Sequence, residues 1–216
     1  MFTAFIGILD DENTDLCIRG NGKTCSMVFY LYAYHLKGYE VWTNFHTSFS
    51  TKIIGFQEMI NTLKELRKNG DNRKIVLGVT EIQDLINSIG SSVQQILFVD
   101  SFTSQMRKLK VDMLYDTQVF KNVNIRLRRH TEQRRIPFKY HLDGSPCNYD
   151  QCDKKHLIKI MSDKPFIARP IRIIKAYEVG KLYNTDEFII DTLDLSNLPN
   201  NKKKKKEKED KDDIPE

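Results

Sequence analysis

No stretch of this 216-residue chain is apolar for long enough to cross a bilayer as a helix. Its longest apolar runs, Met27–Ala33 and Ile96–Val99, fall far short of the roughly 20 residues that a span needs. Met1–Asp10 is apolar but has neither a basic leader nor a small-residue cleavage site, so secretion is not expected and a cytoplasmic protein is. Cysteine is scarce, at positions 17, 25, 147 and 152, which argues against a secreted disulfide framework. No internal repeat is visible. Charge of one sign is also lacking: the net charge is only +5, and residues 201–216, with seven Lys against six Asp or Glu, leave the body near +4. A body this mildly basic is compatible with a phosphate-rich partner without demanding one.

What is present fits one compact α/β domain, or one with a small appendage. Hydrophobic residues make up 40% of the chain, enough for a core, and charged residues 29%, enough for a solvated surface. Four apolar, β-rich segments read as strands: Met1–Leu9, Tyr39–Asn44, Ile75–Val79 and Val111–Tyr115. Helices are expected between them, over Lys23–Leu36 and Phe56–Arg67, and less regularly over Ser91–Lys108. Strands alternating with helices imply βαβ units and a mainly parallel central sheet flanked by helices. After Arg129 the pattern changes to short β-like runs, Ile136–His141, Phe166–Ile174 and Glu178–Tyr183, between polar loops. The expected organisation is therefore a core over 1–135, a β-rich extension over 136–196 and a disordered charged tail over 197–216.

The strongest local signal is Cys17-Ile-Arg-Gly-Asn-Gly-Lys-Thr24. It satisfies the phosphate-loop pattern Gly-x4-Gly-Lys-Ser/Thr except at its first glycine, which is Cys17. Gly20 and Gly22 let the backbone curl so that its N–H groups converge on phosphate oxygens. Lys23 brings positive charge to the β and γ phosphates, and Thr24 offers a hydroxyl to Mg²⁺. The N-terminus of the following helix adds its dipole. The expected nucleotide-binding set is Arg19, Gly20, Asn21, Gly22, Lys23, Thr24 and Cys25.

Hydrolysis at such a loop also needs a carboxylate at the end of a buried strand to hold Mg²⁺ through water, and usually an adjacent Glu to polarise the attacking water. Two segments compete. Ile75–Val79 is followed by Thr80-Glu81, which has the Glu but replaces the Asp by Thr. Ile96–Val99 is followed by Asp100-Ser101, which has the Asp but no Glu. A strand ending at Asp100 would leave only about ten residues before Val111, near the lower limit for a parallel crossover. Glu81 is therefore favoured as the base, Thr80 as a hydroxyl reaching a metal-bound water, and Asp100 stays as the alternative.

Five segments in order resemble the FtsK–HerA superfamily of P-loop ATPases. The likeness is greatest to the zonula-occludens-toxin-like and archaeal virus or plasmid ATPases. The segments are Arg19–Thr24, Gly38–Asn44, Thr80–Ser88, Arg107-Lys108 with Val111–Gln118, and Val123–Arg128, where Asn124 stands for the family's Asp. The resemblance implies an additional strand between the phosphate-loop strand and the acidic-residue strand. It implies Gln118 as a γ-phosphate sensor. By residue type Arg126 or Arg128 suits a guanidinium donated to a neighbouring subunit's nucleotide, and Arg126–Arg135 reads otherwise as a solvated basic loop or one that touches DNA phosphates directly. The resemblance further implies a ring-like or filamentous homo-oligomer acting on double-stranded DNA, in the host cytoplasm if the chain is viral. A motor of this kind, for DNA translocation or packaging, would use ATP and Mg²⁺. Thr80, which carries no charge, leaves open a second reading: an assembly or morphogenesis protein that binds ATP with little or no turnover. A small-molecule kinase is a third, disfavoured by the order of Gln118 and the Asn-x-Arg-x-Arg turn. Nothing in the sequence identifies a capsid or membrane-protein partner.

One more cluster stands apart. His141, Cys147, Cys152 and His156 lie in a polar stretch, and zinc favours such ligands. The spacing His-x5-Cys-x4-Cys-x3-His matches no standard finger, so the cluster reads either as a Zn²⁺ site or as scattered loop residues. The run Lys202–Lys206 reads as solvated tail or as a contact for DNA or an acidic partner.

Overall fold

The computed structural model describes residues 1–8, 20–86, 102–104, 106, 108–147, 152–162 and 171–188, with residues 8 and 185–188 described by their backbone. Its centre is an eight-stranded sheet. In chain order the strands are β1 (Phe2–Ile8), β2 (Glu40–Thr43), β4 (Lys52–Ile53), β5 (Ile75–Val79), β6 (Asp112–Val119), β7 (Gln133–His141), β8 (His156–Ser162) and β9 (Arg172–Lys175). Across the sheet they run β4-β2-β5-β6-β1-β7-β8-β9. All pairs from β4 to β7 are parallel, and β7–β8 and β8–β9 are antiparallel. Strand β6 lies between β1 and β5, which is the additional strand that the family resemblance implies. A separate ribbon pairs β3 (Phe45–Thr47) with β10 (Tyr183–Phe188).

Two longer helices cover opposite faces. Helix α1 (Lys23–His35) buries Met27, Val28 and Leu31 against Phe5, Val41, Val76 and Leu114. It stops where Gly38, at φ +77°, takes the left-handed conformation that a helix C-terminus favours. Helix α2 (Phe56–Lys68) buries Phe56, Met59, Ile60 and Leu63, the i, i+3, i+4, i+7 stripe of an amphipathic helix. Glu58 in its first turn and Arg67 and Lys68 in its last complement its dipole. Its face of the sheet carries Phe2, Trp42, Leu77, Met113 and Tyr115. Alternation along each strand sends neighbours to opposite layers, so Met113 and Tyr115 face α2 while Leu114 faces α1. Full burial of each such side chain contributes about 1.5–3 kcal/mol. Tyr115 keeps its hydroxyl satisfied, 2.6 Å from that of Thr131.

Most of the expected elements are present, shifted by a residue or two at their ends. Strand β6 runs four residues beyond the expected Tyr115, to Val119, and so carries Gln118 within the sheet. Helix α3 (Ile82–Leu85) follows Glu81, and the Asn-x-Arg-x-Arg turn is the first part of α4 (Ile125–His130), capped by the Asn124 side chain. Strand β7 crosses residue 135 and pairs with β1, so the sheet continues past the boundary expected there. Strand β8 was not expected, because its start lies in the Cys/His stretch read as loop. The Glu178–Tyr183 strand is not formed. That stretch makes a short helix, α5 (Ala176–Val179), and a 3-10 turn, Gly180–Leu182, before β10 begins at Tyr183. Val179 is buried against the α1 layer, a contact that the local β-like composition does not encode. Of the Ser91–Lys108 helix, Phe102–Ser104, Met106 and Lys108 are described and helical. Its remaining residues, the segment 166–170 and the tail 197–216 lie outside the described residues. No described helix is long and apolar enough to cross a membrane.

Candidate active site

The parallel strands end at one edge of the sheet, and the loops there form a cleft of about 330 Å³. Gly20, Gly22, Lys23, Thr24, Cys25, Thr80, Glu81, Gln118 and Tyr183 line it. Ligands of open α/β sheets bind at this carboxyl edge. Gly22 turns the chain into α1 at φ +91°, and a Cβ there would overlap the Ile158 side chain of β8. Only glycine meets both constraints at once. Among the described residues no side chain caps α1, and no acidic residue occupies its first turn, so the helix presents its N-terminal dipole to the cleft.

Lys23 is only 5% exposed. Its Nζ donates to Gln118 Oε1 at 2.7 Å and to Asn21 Oδ1 at 3.5 Å. Gln118 Nε2 in turn donates to Glu81 Oε1 at 3.0 Å, so a single amide links the loop lysine to the expected base. The other Glu81 oxygen accepts from Gln83 Nε2. Glu81 itself sits at φ +51°, a conformation that costs a non-glycine residue about 1–3 kcal/mol and that clusters at functional sites.

The centre of the network is a residue that the sequence reading passed over. Asp116 is fully buried, on β6 two residues before Gln118. Its carboxylate accepts from Thr24 Oγ1 at 2.6 Å, from Thr80 Oγ1 at 3.1 and 3.2 Å, and from the Glu81 backbone N–H at 2.7 Å. Burial, and then the neighbouring Glu81 charge, push its pKa up to about 6 against the pull of these donors. The signal for it was available. Residues 114, 116 and 118 share one face of the strand, so placing Gln118 over the loop places Asp116 there as well. An ionisable residue inside an apolar strand also demands a partner. The site therefore has a buried carboxylate, but it comes from β6 and not from the Thr80 position, whose hydroxyl donates to it.

Asn44 holds the Thr80 end of β5 from the adjacent strand: its Oδ1 accepts from Thr80 N at 2.8 Å, and its Nδ2 donates to Thr80 O at 3.3 Å. Tyr183, also unforeseen, lines the cleft and shares a hydrogen bond with the Cys25 thiol, which burial pushes up to about 12. Cys25 is thus an inert, protonated wall residue. Arg126 and Arg128 lie on α4 and are not among the residues that line the cleft. Arg19, Cys17 and the alternative Asp100 fall outside the described residues.

This is the fold of the P-loop ATPases. The chain superposes on the genome packaging NTPase B204 of Sulfolobus turreted icosahedral virus 2, in its sulfate complex, with a TM-score of 0.50. That match covers 81% of this chain and 95% of the other, at 9% identity. The N-terminal domain of zonular occludens toxin from Neisseria meningitidis matches with a TM-score of 0.48 and 15% identity, over 85% of this chain and 98% of that one. The pCW3 conjugation coupling protein TcpA, in its form with an ATP analogue, matches at 0.43 and 11%, over 83% of this chain and 64% of the other. No family model and no curated protein matches the chain.

The residues of the cleft fit a magnesium nucleotide. Thr24 and Asp116 are hard oxygen donors side by side, and a fully buried carboxylate with a raised pKa is a group that a cation would relieve. Magnesium, when bound, supplies positive charge that offsets the phosphates.

Proposed function

We propose that the chain binds ATP with Mg²⁺ and hydrolyses it to translocate or package double-stranded DNA, as one subunit of a ring-like homo-oligomer in the cytoplasm, the host's if it is viral. The observation that carries the nucleotide part is the convergence of Lys23, Thr24, Glu81, Asp116 and Gln118 on one cleft at the N-terminus of α1. The DNA part rests on the ordered sequence resemblance and on B204, a packaging NTPase of the same fold.

In this reading the α1 N-terminus and Lys23 hold the phosphates. Thr24 donates its hydroxyl hydrogen bond to Asp116, which would leave its oxygen lone pairs toward a cation, and ionised Asp116 would supply the balancing negative charge with Thr80 as its hydrogen-bond support. Glu81 is the general base for the attacking water. Gln118, already bonded to both Lys23 and Glu81, is placed to report the γ-phosphate to the base. Arg126 and Arg128 serve a neighbouring subunit's nucleotide, consistent with their place away from this subunit's own cleft.

One observation favours a second reading, a nucleotide-binding assembly protein with little turnover: both Glu81 oxygens are engaged by glutamine side chains. Steady-state ATP hydrolysis with and without double-stranded DNA, for the parent, Lys23→Ala and Glu81→Gln, separates the two. Turnover that rises with DNA and disappears in both variants supports the motor. ATP binding that is lost in Lys23→Ala, with no turnover by the parent in any condition, leaves the assembly protein.

A further inference from the structure

Far along the sheet from its β4 edge, β7 and β8 form a hairpin whose mouth gathers the second cluster singled out in the sequence. His141 and His156 are direct cross-strand partners, with ring centroids 5.1 Å apart. The chain after β7 folds back on itself through Gly144 N–H to His141 O at 3.0 Å, His141 N–H to Ser145 O at 2.8 Å and Cys147 N–H to Lys139 O at 2.9 Å. That turn brings Cys147, 2% exposed, in beside the histidines, and Cys152 approaches from the segment leading into β8. One ligand atom from each of His141, Cys147, Cys152 and His156 lies within 4.8 Å of all the others.

We infer that these four side chains form a tetrahedral Zn²⁺ site that staples the β7–β8 hairpin. Cys152 Sγ and His141 Nε2 are 3.4 Å apart. Ligands at about 2.0 Å for nitrogen and 2.3 Å for sulfur around one tetrahedral ion would be separated by about 3.5 Å. His156 is 8% exposed, and its Nε2 has no hydrogen-bond partner among the described residues, a costly state for a buried polar atom unless something binds there. Outer partners for the other histidine are in place as well. His141 Nδ1 is 2.9 Å from Ser145 Oγ, which donates to Asp143 Oδ1 at 2.6 Å. That relay makes Nδ1 the protonated nitrogen and leaves the Nε2 lone pair facing Cys152, as the hydrogen-bond partners of metal-bound histidines do. Among the described residues no carboxylate is part of the cluster, which argues against Mg²⁺ or Ca²⁺ and for a borderline-soft ion. Binding would release the two thiol protons and leave a site with no net charge. The staple bears on the cleft too: Ile158, two residues after His156, is the side chain against which Gly22 is packed.

The test is metal analysis of the full chain, purified under reducing conditions without added chelator. One equivalent of zinc is expected. Protein stripped of metal should take up one equivalent of Co²⁺ and show the visible bands of a tetrahedral cobalt thiolate. Ser145→Ala, which leaves all four ligands, should weaken zinc binding about 10–100-fold. Less than a tenth of an equivalent of zinc, together with no cobalt bands from the stripped protein, overturns the proposal. So does a Cys147–Cys152 disulfide that is present in protein purified under those reducing conditions. Cys152→Ser should abolish the cobalt bands, and if it fails to fold, the parent's stoichiometry and spectrum decide the matter alone.

Discussion

Asp116→Asn separates the metal-binding role proposed for this carboxylate from its cost to the fold. Asparagine keeps an oxygen for the Glu81 N–H and the Thr80 hydroxyl, and its amide can donate to Thr24, whose hydroxyl turns to accept. The packing is nearly unchanged. In the parent, a pKa raised from 3.8 to about 6 means that the ionised form is disfavoured in the folded state by on the order of 3 kcal/mol. The sign follows from proton linkage. Between about pH 4 and pH 6 the folded state holds a proton that the unfolded state has lost, so stability falls as pH rises through that window and stays low above it. The asparagine variant has no such proton to lose, so urea titrations of the metal-free variant should not show this decline. At neutral pH the variant should be as stable as the parent or more so. Nucleotide binding should move the other way. Calorimetric titration with a non-hydrolysable ATP analogue should show Mg²⁺ strengthening binding to the parent. In Asp116→Asn most of that strengthening should be lost, about 10–100-fold or roughly 1.4–2.7 kcal/mol, while affinity in EDTA is unchanged. A variant that keeps the parent's full magnesium increment would refute the assignment.

The remaining predictions concern the same cleft and the arginines of α4. Magnesium-dependent nucleotide affinity of the parent should weaken as pH falls through about 6, because protonated Asp116 no longer attracts the cation, and a pH series of the same titrations would show it. Glu81→Gln should leave nucleotide affinity within a few-fold of the parent while lowering turnover by about 10²–10⁴-fold, and equal losses in both would point to a structural role. Gly22→Ala should destabilise the fold by about 1–2 kcal/mol for the left-handed backbone alone, with more from its overlap with Ile158, as read by urea unfolding. Arg126→Ala with Arg128→Ala should spare nucleotide binding and reduce only DNA-stimulated turnover, a result that wild-type turnover in the double variant would contradict.

The sequence by itself determined the parts that rest on local rules. The apolar runs of β1 and β5 and the helical stripe of α2 follow from periodicity, which needs no knowledge of partners. The Gly20–Thr24 loop stood out because its glycines, lysine and threonine match, in consecutive residues, the pattern expected of a phosphate-binding turn, and the structure places it at the start of α1. Tertiary structure decided what depends on residues far apart in the chain. Asp116 meets Thr24 across 92 positions and Thr80 across 36, because β6 is inserted between β1 and β5. A search for the missing carboxylate beside position 80 could not find one that sits on the neighbouring strand. The Cys/His spacing was equally mute, since His141 and His156 become neighbours only when β7 and β8 pair in antiparallel register. Whether Glu178–Tyr183 makes strand or helix was likewise settled by packing, because Val179 gains more from burial beneath α1 than its β propensity is worth.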